Sequence, residues 1–378
     1  MTHRLAFAFL LLALAAGTAR AQGTLSTQGF GYPPGESSTR SASMGGALSE
    51  TDALSPFNPA ALANWGRSGV YLQYSPEYRR VSGESGQDKT MTARFPLAEG
   101  ALTVGRRGVV GISAAGYLDR TWETSRTGYD HFGSGADSTQ FTESFQSSGA
   151  INDIRLAGAY AISRSLWIGA GAHVFTGDNR LAVTRTFPDT TFSSFSEQST
   201  ISYTGTGVSA GIVWQPVSAF TIGVSGRSGG TIKSFRNDTT LSRARVPKRA
   251  GVGIAFTGIP GFALAASAEW QGWSSLAPLG NEGLGVTDAW DVGVGAEVRG
   301  PAVFGTQLPL RIGYRRRTLP FTVESTNVRE NTFSFGAGLP IARGASRIDV
   351  GVERANRGSA AGVSEHAWIL SFGFMVRP

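Results

Sequence analysis

About fourteen short segments of this chain alternate apolar with small or polar residues at every second position, and their connections switch between long and short. Successive side chains of a β-strand point to opposite faces, so this alternation specifies strands with one apolar and one polar side. In the last segment Trp368, Leu370, Phe372, Phe374 and Val376 share one face, with Ser371, Gly373 and Arg377 on the other. Phe262, Leu264, Ala266, Ala268 and Trp270 oppose Ser267, Glu269 and Gln271 in the same way. A soluble sandwich also alternates, but it seldom turns large aliphatic and aromatic residues outward in nearly every strand. The pattern predicts an all-β fold, a transmembrane antiparallel β-barrel of about fourteen strands. Such a barrel must close, because an open edge in lipid leaves backbone donors and acceptors unpaired.

Residues 1–21 read as a Sec signal peptide. Arg4 supplies the basic start, Leu5 to Ala16 the apolar core, and Ala19-Arg20-Ala21 the A-x-A cleavage site. No later stretch reaches about 18 uninterrupted apolar residues, so no helical span is expected. The mature chain should then begin at Gln22 and pass to the outer membrane of a Gram-negative-type bacterium. There is no cysteine, which excludes disulfides and thiolate metal sites. Glycine is abundant, 51 of 378 residues, and sits inside alternating strands, as at Gly169 and Gly171 or Gly293 and Gly295. Small residues there let strands curve and leave lumen volume. The net charge of +7, or +5 without Arg4 and Arg20, is modest and has no basic run beyond Arg315-Arg316-Arg317. Nucleic-acid binding does not follow from it.

Residues 22–66 do not alternate and predict a compact, mostly irregular segment with one or two helical turns. Asn58 is placed to cap a turn that has Pro59 in its first position. The barrel is assigned to 67–378, with strands at 68–80, 89–95, 101–118, 148–162, 166–176, 200–214, 218–232, 247–257, 262–273, 287–298, 307–318, 330–339, 346–356 and 365–376. Ser163-Arg164-Ser165, Gln215-Pro216-Val217 and Gly258-Ile259-Pro260-Gly261 read as tight turns, whereas 119–147, 177–199, 233–246 and 274–286 read as long polar connections. Short turns in the periplasm and long loops outside the cell are the barrel rule. Trp214, Phe220, Trp290 and Trp368 suit an interfacial girdle. Arg155, Glu269, Asp291, Glu297, Arg311 and Arg315 fall on inward positions, as do Asp349 and Glu353, and Glu297 with Arg311 is an expected lumen pair.

Catalytic signals are weak. The four histidines (His3, His131, His173 and His366) show no metal-ligand spacing, and the glycine-rich stretches lack the helix and lysine of a phosphate loop. No G-x-S-x-G elbow occurs, although a Ser-His-acid set can assemble from distant residues. The inward His173 is read as a hydrogen-bonding lumen residue. No enzyme activity, catalytic residue, metal or cofactor is expected.

The N-terminal segment carries the sharpest motif. Arg40-Ser41-Ala42-Ser43-Met44-Gly45-Gly46-Ala47, then Asp52-Ala53 and Asn58-Pro59-Ala60-Ala61-Leu62, resemble the plug of FadL-type outer-membrane transporters. The resemblance implies a fourteen-stranded barrel whose N-terminal hatch holds an Asn-Pro-Ala motif, matched here by Asn58, Pro59 and Ala60. Met44, Gly45, Gly46 and Asp52 would share that hatch. It further implies uptake of hydrophobic small molecules, such as long-chain fatty acids or aromatic hydrocarbons, past the plug and sideways into lipid. In the family that exit lies at an inward kink of the third strand, where Gly105, Gly108 and Gly111 are the candidates here. A related group of fourteen-stranded barrels acts as scaffold or shuttle in surface-protein secretion. The expected partners are therefore a hydrophobic ligand and outer-membrane lipid, with a secretion partner protein as the alternative, around a monomer. An outer-membrane hydrolase is the third reading.

Overall fold

A computed structural model describes residues 30–83, 86–131, 138–280, 285–303, 305–341, 345–358 and 364–377. Residues 1–29, with the expected signal peptide, lie outside the described residues, as does the side chain of His131. Fourteen antiparallel strands form a closed ring. They are β1 (Gly69–Gly83), β2 (Gly86–Val104), β3 (Gly108–Asp119), β5 (Ser138–Ala161), β6 (Leu166–Thr186), β7 (Phe195–Val217), β8 (Phe220–Gly229), β11 (Arg249–Ile259), β12 (Phe262–Gln271), β13 (Ala289–Val303), β14 (Thr306–Val323), β15 (Thr326–Ile341), β16 (Ser346–Gly358) and β17 (Ser364–Val376). Closure comes from β17 against β1, from Val70↔Val376 to Ser82↔Ser364. Three more strands, β4 (Trp122–His131), β9 (Thr231–Arg236) and β10 (Thr239–Arg245), extend the wall beyond the ring.

The outward face is apolar from strand to strand: Leu72, Leu102, Ile112, Leu156, Val208, Val294, Ile312, Phe335 and Phe374 are all exposed. The predicted girdle residues Trp214, Phe220, Trp290 and Trp368 are exposed as well. All fourteen predicted strands are present, but several bounds move. The predicted third strand, 101–118, spans the tight turn at Gly105–Arg107, so its first residues belong to β2. β2 runs straight through Pro96, which occupies a bulge opposite Tyr74 where the lack of an N–H costs nothing. Pro216 likewise sits at a bulge inside β7, and the turn follows it at Ser218–Ala219.

The long connections are largely not loops. Residues 122–131 and 138–147 form the hairpin of β4 with β5, while β6 and β7 stay paired out to Arg185↔Phe195. Segment 231–245 is the β9–β10 hairpin, and Trp273–Leu279 is a 3-10 helix. β5 is 24 residues long, where about 9–11 suffice to cross a bilayer. The outward face of these extensions meets water and carries polar residues such as Ser138, Gln140 and Thr142, so the apolar alternation that marks a membrane strand fades there.

Candidate functional site: the plug and its seat

Residues 30–66 fill the lumen. Ser38 caps a single helical turn, Thr39–Ala42, by accepting from Ser41 N at 3.1 Å. Asn58 caps the 3-10 helix Pro59–Trp65, its Oδ1 accepting from Ala60 N at 2.9 Å, with Pro59 in the first position where no N–H is needed. Asp52 joins the two halves of the plug: its carboxylate accepts from Ser38 Oγ at 2.5 Å and from Leu54 N at 3.3 Å.

The plug backbone lies on a bed of strand glycines. A Cβ at Gly313 would stand 2.1 Å from Gly45 N, and one at Gly295 2.3 Å from Met44 O. At Gly169 it would meet Ala60 N at 2.4 Å, and at Gly211 Asn58 Oδ1 at 2.0 Å. The inward glycines therefore do more than leave volume: they admit the plug main chain to contact. Gly45 and Gly46 have φ of 66° and 76°, which favours glycine, and so bring that chain against β13 and β14. Gly45 N donates to Ser334 Oγ at 3.0 Å, and Ser267 Oγ donates to Gly46 O at 3.1 Å. Met44 is fully buried in this cradle. Asn58 Nδ2 donates to Glu50 O at 3.0 Å and to Ile212 O at 3.1 Å, pinning the turn to β7.

Charged pairs complete the seat. Arg40 meets Glu297 at 2.9 Å, Glu297 meets Arg311 at 2.6 Å, and Arg311 meets Asp349 at 2.7 Å. Arg155 donates to Pro56 O at 2.7 Å and to Glu99 at 2.9 Å. Arg249 holds Glu50 of the plug and, at 2.6 Å, Glu269 of the wall. Arg315 pairs with Asp291. Toward the extracellular side Tyr32 is the hub of a second cluster. Its hydroxyl donates to Glu330 at 2.9 Å and accepts from Arg357 at 2.6 Å and from Arg317. The guanidinium of Arg357 lies 4.4 Å from its ring centre, and those of Arg79, Arg94 and Arg317 lie 5.0–5.6 Å away. Burial lifts the Tyr32 hydroxyl well above the ordinary tyrosine range against the pull of Arg317 and Arg357, keeping it a neutral donor.

Tyr32, Glu50, Arg249, Glu77, Arg317, Glu330 and Arg357 were not among the sequence-predicted site residues. Parity alone carries the signal for part of them. Arg317 shares the inward register of Arg311 and Arg315, and Arg357 that of Asp349 and Glu353. Nothing local marks Tyr32.

The third strand breaks away from its neighbour. β2 and β3 pair only from Val104↔Gly108 to Leu97↔Ala115, and a bulge follows between Gly116 and Leu118. Tyr117, Leu118 and Asp119 are buried in succession, so the strand bends inward here and not at Gly105, Gly108 or Gly111. Tyr32 fills the freed edge, exchanging two 2.8 Å backbone hydrogen bonds with Asp119. Arg94 of β2 reaches across to the Asp119 carboxylate at 2.6 Å.

His173 does assemble with distant partners. Its Nδ1 lies 2.9 Å from Asp153, and its Nε2 lies 2.8 Å from Ser209 Oγ. That is the residue order of an acyl-transfer triad. All three are buried, however, and Arg227 also binds Asp153 at 3.1 Å. The chain clasps β5, β6, β7 and β8 together.

Above the plug the lumen is closed by apolar packing. Phe30, Tyr117, Leu118, Ile151, Phe175, Tyr203, Ile232, Trp273 and Leu276 form one buried cluster. Two cavities between plug and wall each hold about 40 Å³; one is lined largely by polar groups such as Glu77, Arg94, Arg315 and Glu330, and the other sets Phe57, Tyr117 and Trp273 beside Glu36, Glu269 and Asp291. Each has room for a few waters.

Solved structures with the same architecture are outer-membrane channels. A FadL homologue of Pseudomonas aeruginosa superposes with a TM-score of 0.63 at 13% identity, covering 92% of this chain and 99% of its own. The toluene transporter TbuX of Ralstonia pickettii gives 0.58 at 15% identity, with 94% and 100% covered. The monoaromatic hydrocarbon channel CymD gives 0.55 at 14%, with 92% and 98% covered. At such identities the likeness establishes the fold: a FadL-type outer-membrane barrel with fourteen strands. The chain matches no curated protein. A family model described as BamG matches residues 1–228 and 221–374, and the chain therefore belongs to the BamG family of FadL-like barrels.

Proposed function

We propose that this barrel serves as a membrane-embedded scaffold for a partner protein in the assembly or secretion of surface proteins. The carrying observation is the filled lumen. The plug main chain rests on the wall, its charges are paired, and the level above it is packed by Phe30, Tyr117, Phe175 and Trp273. A carrier of apolar molecules needs a ligand-sized apolar pocket, typically about 300–1,000 Å³, leading to its hatch. Among the described residues the two cavities beside the plug are far smaller, one of them polar and the other bordered by Phe57, Tyr117 and Trp273 as well as by charged groups. The family's name, BamG, points toward the Bam assembly machinery and favours the same reading. The extensions of β4–β7, β9 and β10 supply a broad surface outside the bilayer, with Tyr129, Phe195 and Leu241 exposed on it.

Passive uptake of hydrophobic molecules gated by the plug is the second reading. The parting of β2 from β3 beside the exposed Phe95 supports it, because a ligand could leave there once Tyr32 moved aside. Under either reading the chain is no enzyme, and Asn58-Pro59-Ala60 keeps the plug seated. Deleting the gene separates the two. Scaffolding predicts loss of surface-exposed proteins, unchanged uptake of labelled fatty acid and toluene, and a solubilised protein that migrates as a larger complex. Reduced uptake with a monomeric protein and an intact surface proteome would overturn it.

A further inference from the structure

On the outside of the barrel, where β16, β17, β1 and β2 lie side by side, a groove of about 420 Å³ opens beside Tyr78, Met91, Arg354 and Trp368. Register builds it in two tiers. In the lower tier Arg354 stands next to Trp368, Trp368 next to Tyr78, and Tyr78 next to Met91. One step outward, His366 neighbours Arg80 and Arg80 neighbours Lys89. The Arg354 guanidinium lies 5.0 Å from the Trp368 ring centre, which holds its planar fork over the groove. Tyr78, Met91 and Trp368 are each about half exposed. None of the described residues lining the groove is acidic.

The level of the groove identifies its medium. Trp368 lies eight residues from Val376 at the tight-turn end of β17. That is about 27 Å along the strand, or about 20 Å of height at a tilt of about 35–45°, so the tier of His366, Arg80 and Lys89 two residues farther on reaches the edge of the ~25 Å apolar band of an outer-membrane barrel. Below it the wall is apolar, with Val70, Leu72, Val350 and Phe374 exposed to acyl chains. Arg80 and Lys89 therefore stand at the headgroup level of the outer leaflet, and Arg354, level with the aromatic belt just below them, reaches it with its long side chain.

We propose that this groove binds the phosphate-bearing headgroup of an outer-leaflet glycolipid. The guanidiniums of Arg80 and Arg354 both line this one opening, and guanidinium forks match phosphate oxygens two at a time. The acyl chains would continue down the wall past Met91, Trp368 and Leu72. A free phosphate offers the same charge but gains nothing from the apolar tier, so the site selects a lipid.

Native mass spectrometry of the full-length protein in mild detergent tests this, with diphosphoryl lipid A, its dephosphorylated counterpart and inorganic phosphate as probes. The phosphorylated lipid should bind at least about tenfold more tightly than the dephosphorylated one, a comparison that needs no variant. The triple variant R80S/K89S/R354S should lose that preference while keeping the heat-modifiable migration of a folded barrel. R106S/R107S, which removes exposed charge at the opposite rim, should retain it. Equal binding of the two lipids, an unaffected triple variant, or inorganic phosphate binding as tightly as the lipid would each overturn the proposal.

Discussion

The two ends of the plug are held by different physics. At Met44–Gly46 and Asn58–Ala60 the seat is shape: backbone meets backbone across strands whose side chains have been reduced to hydrogen. At Tyr32 the seat is charge: one phenol sits among four guanidiniums and their carboxylates. Close packing offers no intermediate state, since even one added methyl group has nowhere to go. A charged cluster can exchange partners. Arg357, for example, also reaches Glu77 at 2.8 Å and bonds Glu365. The shape-held end therefore behaves as the fixed floor and the charge-held end as the part able to let go. The parting of β2 and β3 lies at that second end, where Tyr32 and Arg94 close it.

The strongest way to break this contrast is to fill the floor. Gly313→Val places a Cβ 2.1 Å from plug backbone and adds two methyl groups beyond it. Overpacking a rigid site typically costs about 1–3 kcal/mol, and here the obstructing atoms belong to main chain, so the upper end applies. The plug should unseat while the barrel persists. Planar bilayers should show steady ion conductance from the variant and little from the parent. An equally silent variant would mean that the glycine bed is not what seats the plug.

Tyr32→Phe tests the other end with a smaller change. The ring and its cation contacts stay, but Glu330 loses a donor and Arg317 and Arg357 lose an acceptor. Leaving such buried groups short of a partner costs about 1–3 kcal/mol, cushioned here by the alternative partners of Arg357. Brief openings should appear in single-channel records, in place of the permanent leak expected for Gly313→Val. Continuous conductance would show that the hub is as indispensable as the floor.

What the sequence disclosed follows the same division. Alternation is forced on every strand that faces lipid, so fourteen strands, the outward aromatics and the inward Arg155, Glu269, Glu297 and Arg311 could be read directly. The Asn58-Pro59 turn was legible because capping is local. The hairpins of β4 and of β9–β10 were not, since a strand whose outer face meets water and not lipid has no need of large apolar residues there. Tyr32 was illegible for another reason: its partners Glu77, Arg317, Glu330 and Arg357 come from four strands scattered from β1 to β16. The third-strand break at Gly116–Leu118 was likewise hidden, because a bulge made by Tyr117 and Leu118 looks like ordinary strand sequence.

The finest test concerns Glu36, which sits between the two ends and meets Arg227 at 3.9 Å. Burial pushes its carboxyl up to about 7, with Arg227 and Arg249 opposing and Asp153 and Glu269 reinforcing that rise. The released plug would expose Glu36 to water, where a glutamate titrates near about 4.3. A carboxyl whose seated value lies above its free value favours seating when protonated. That contribution is complete below about 4.3, declines as pH rises, and is lost above about 7. The change is limited to about tenfold in the seating equilibrium per pH unit, the most that one proton can give. Open probability in bilayers should therefore be lower at pH 5 than at pH 8. Glu36→Gln, which keeps the shape and abolishes the titration, should flatten this slope without the leak of Gly313→Val or the flicker of Tyr32→Phe. A slope that survives in the glutamine variant would assign the proton to another group, and the pH response would then say nothing about the middle of the plug.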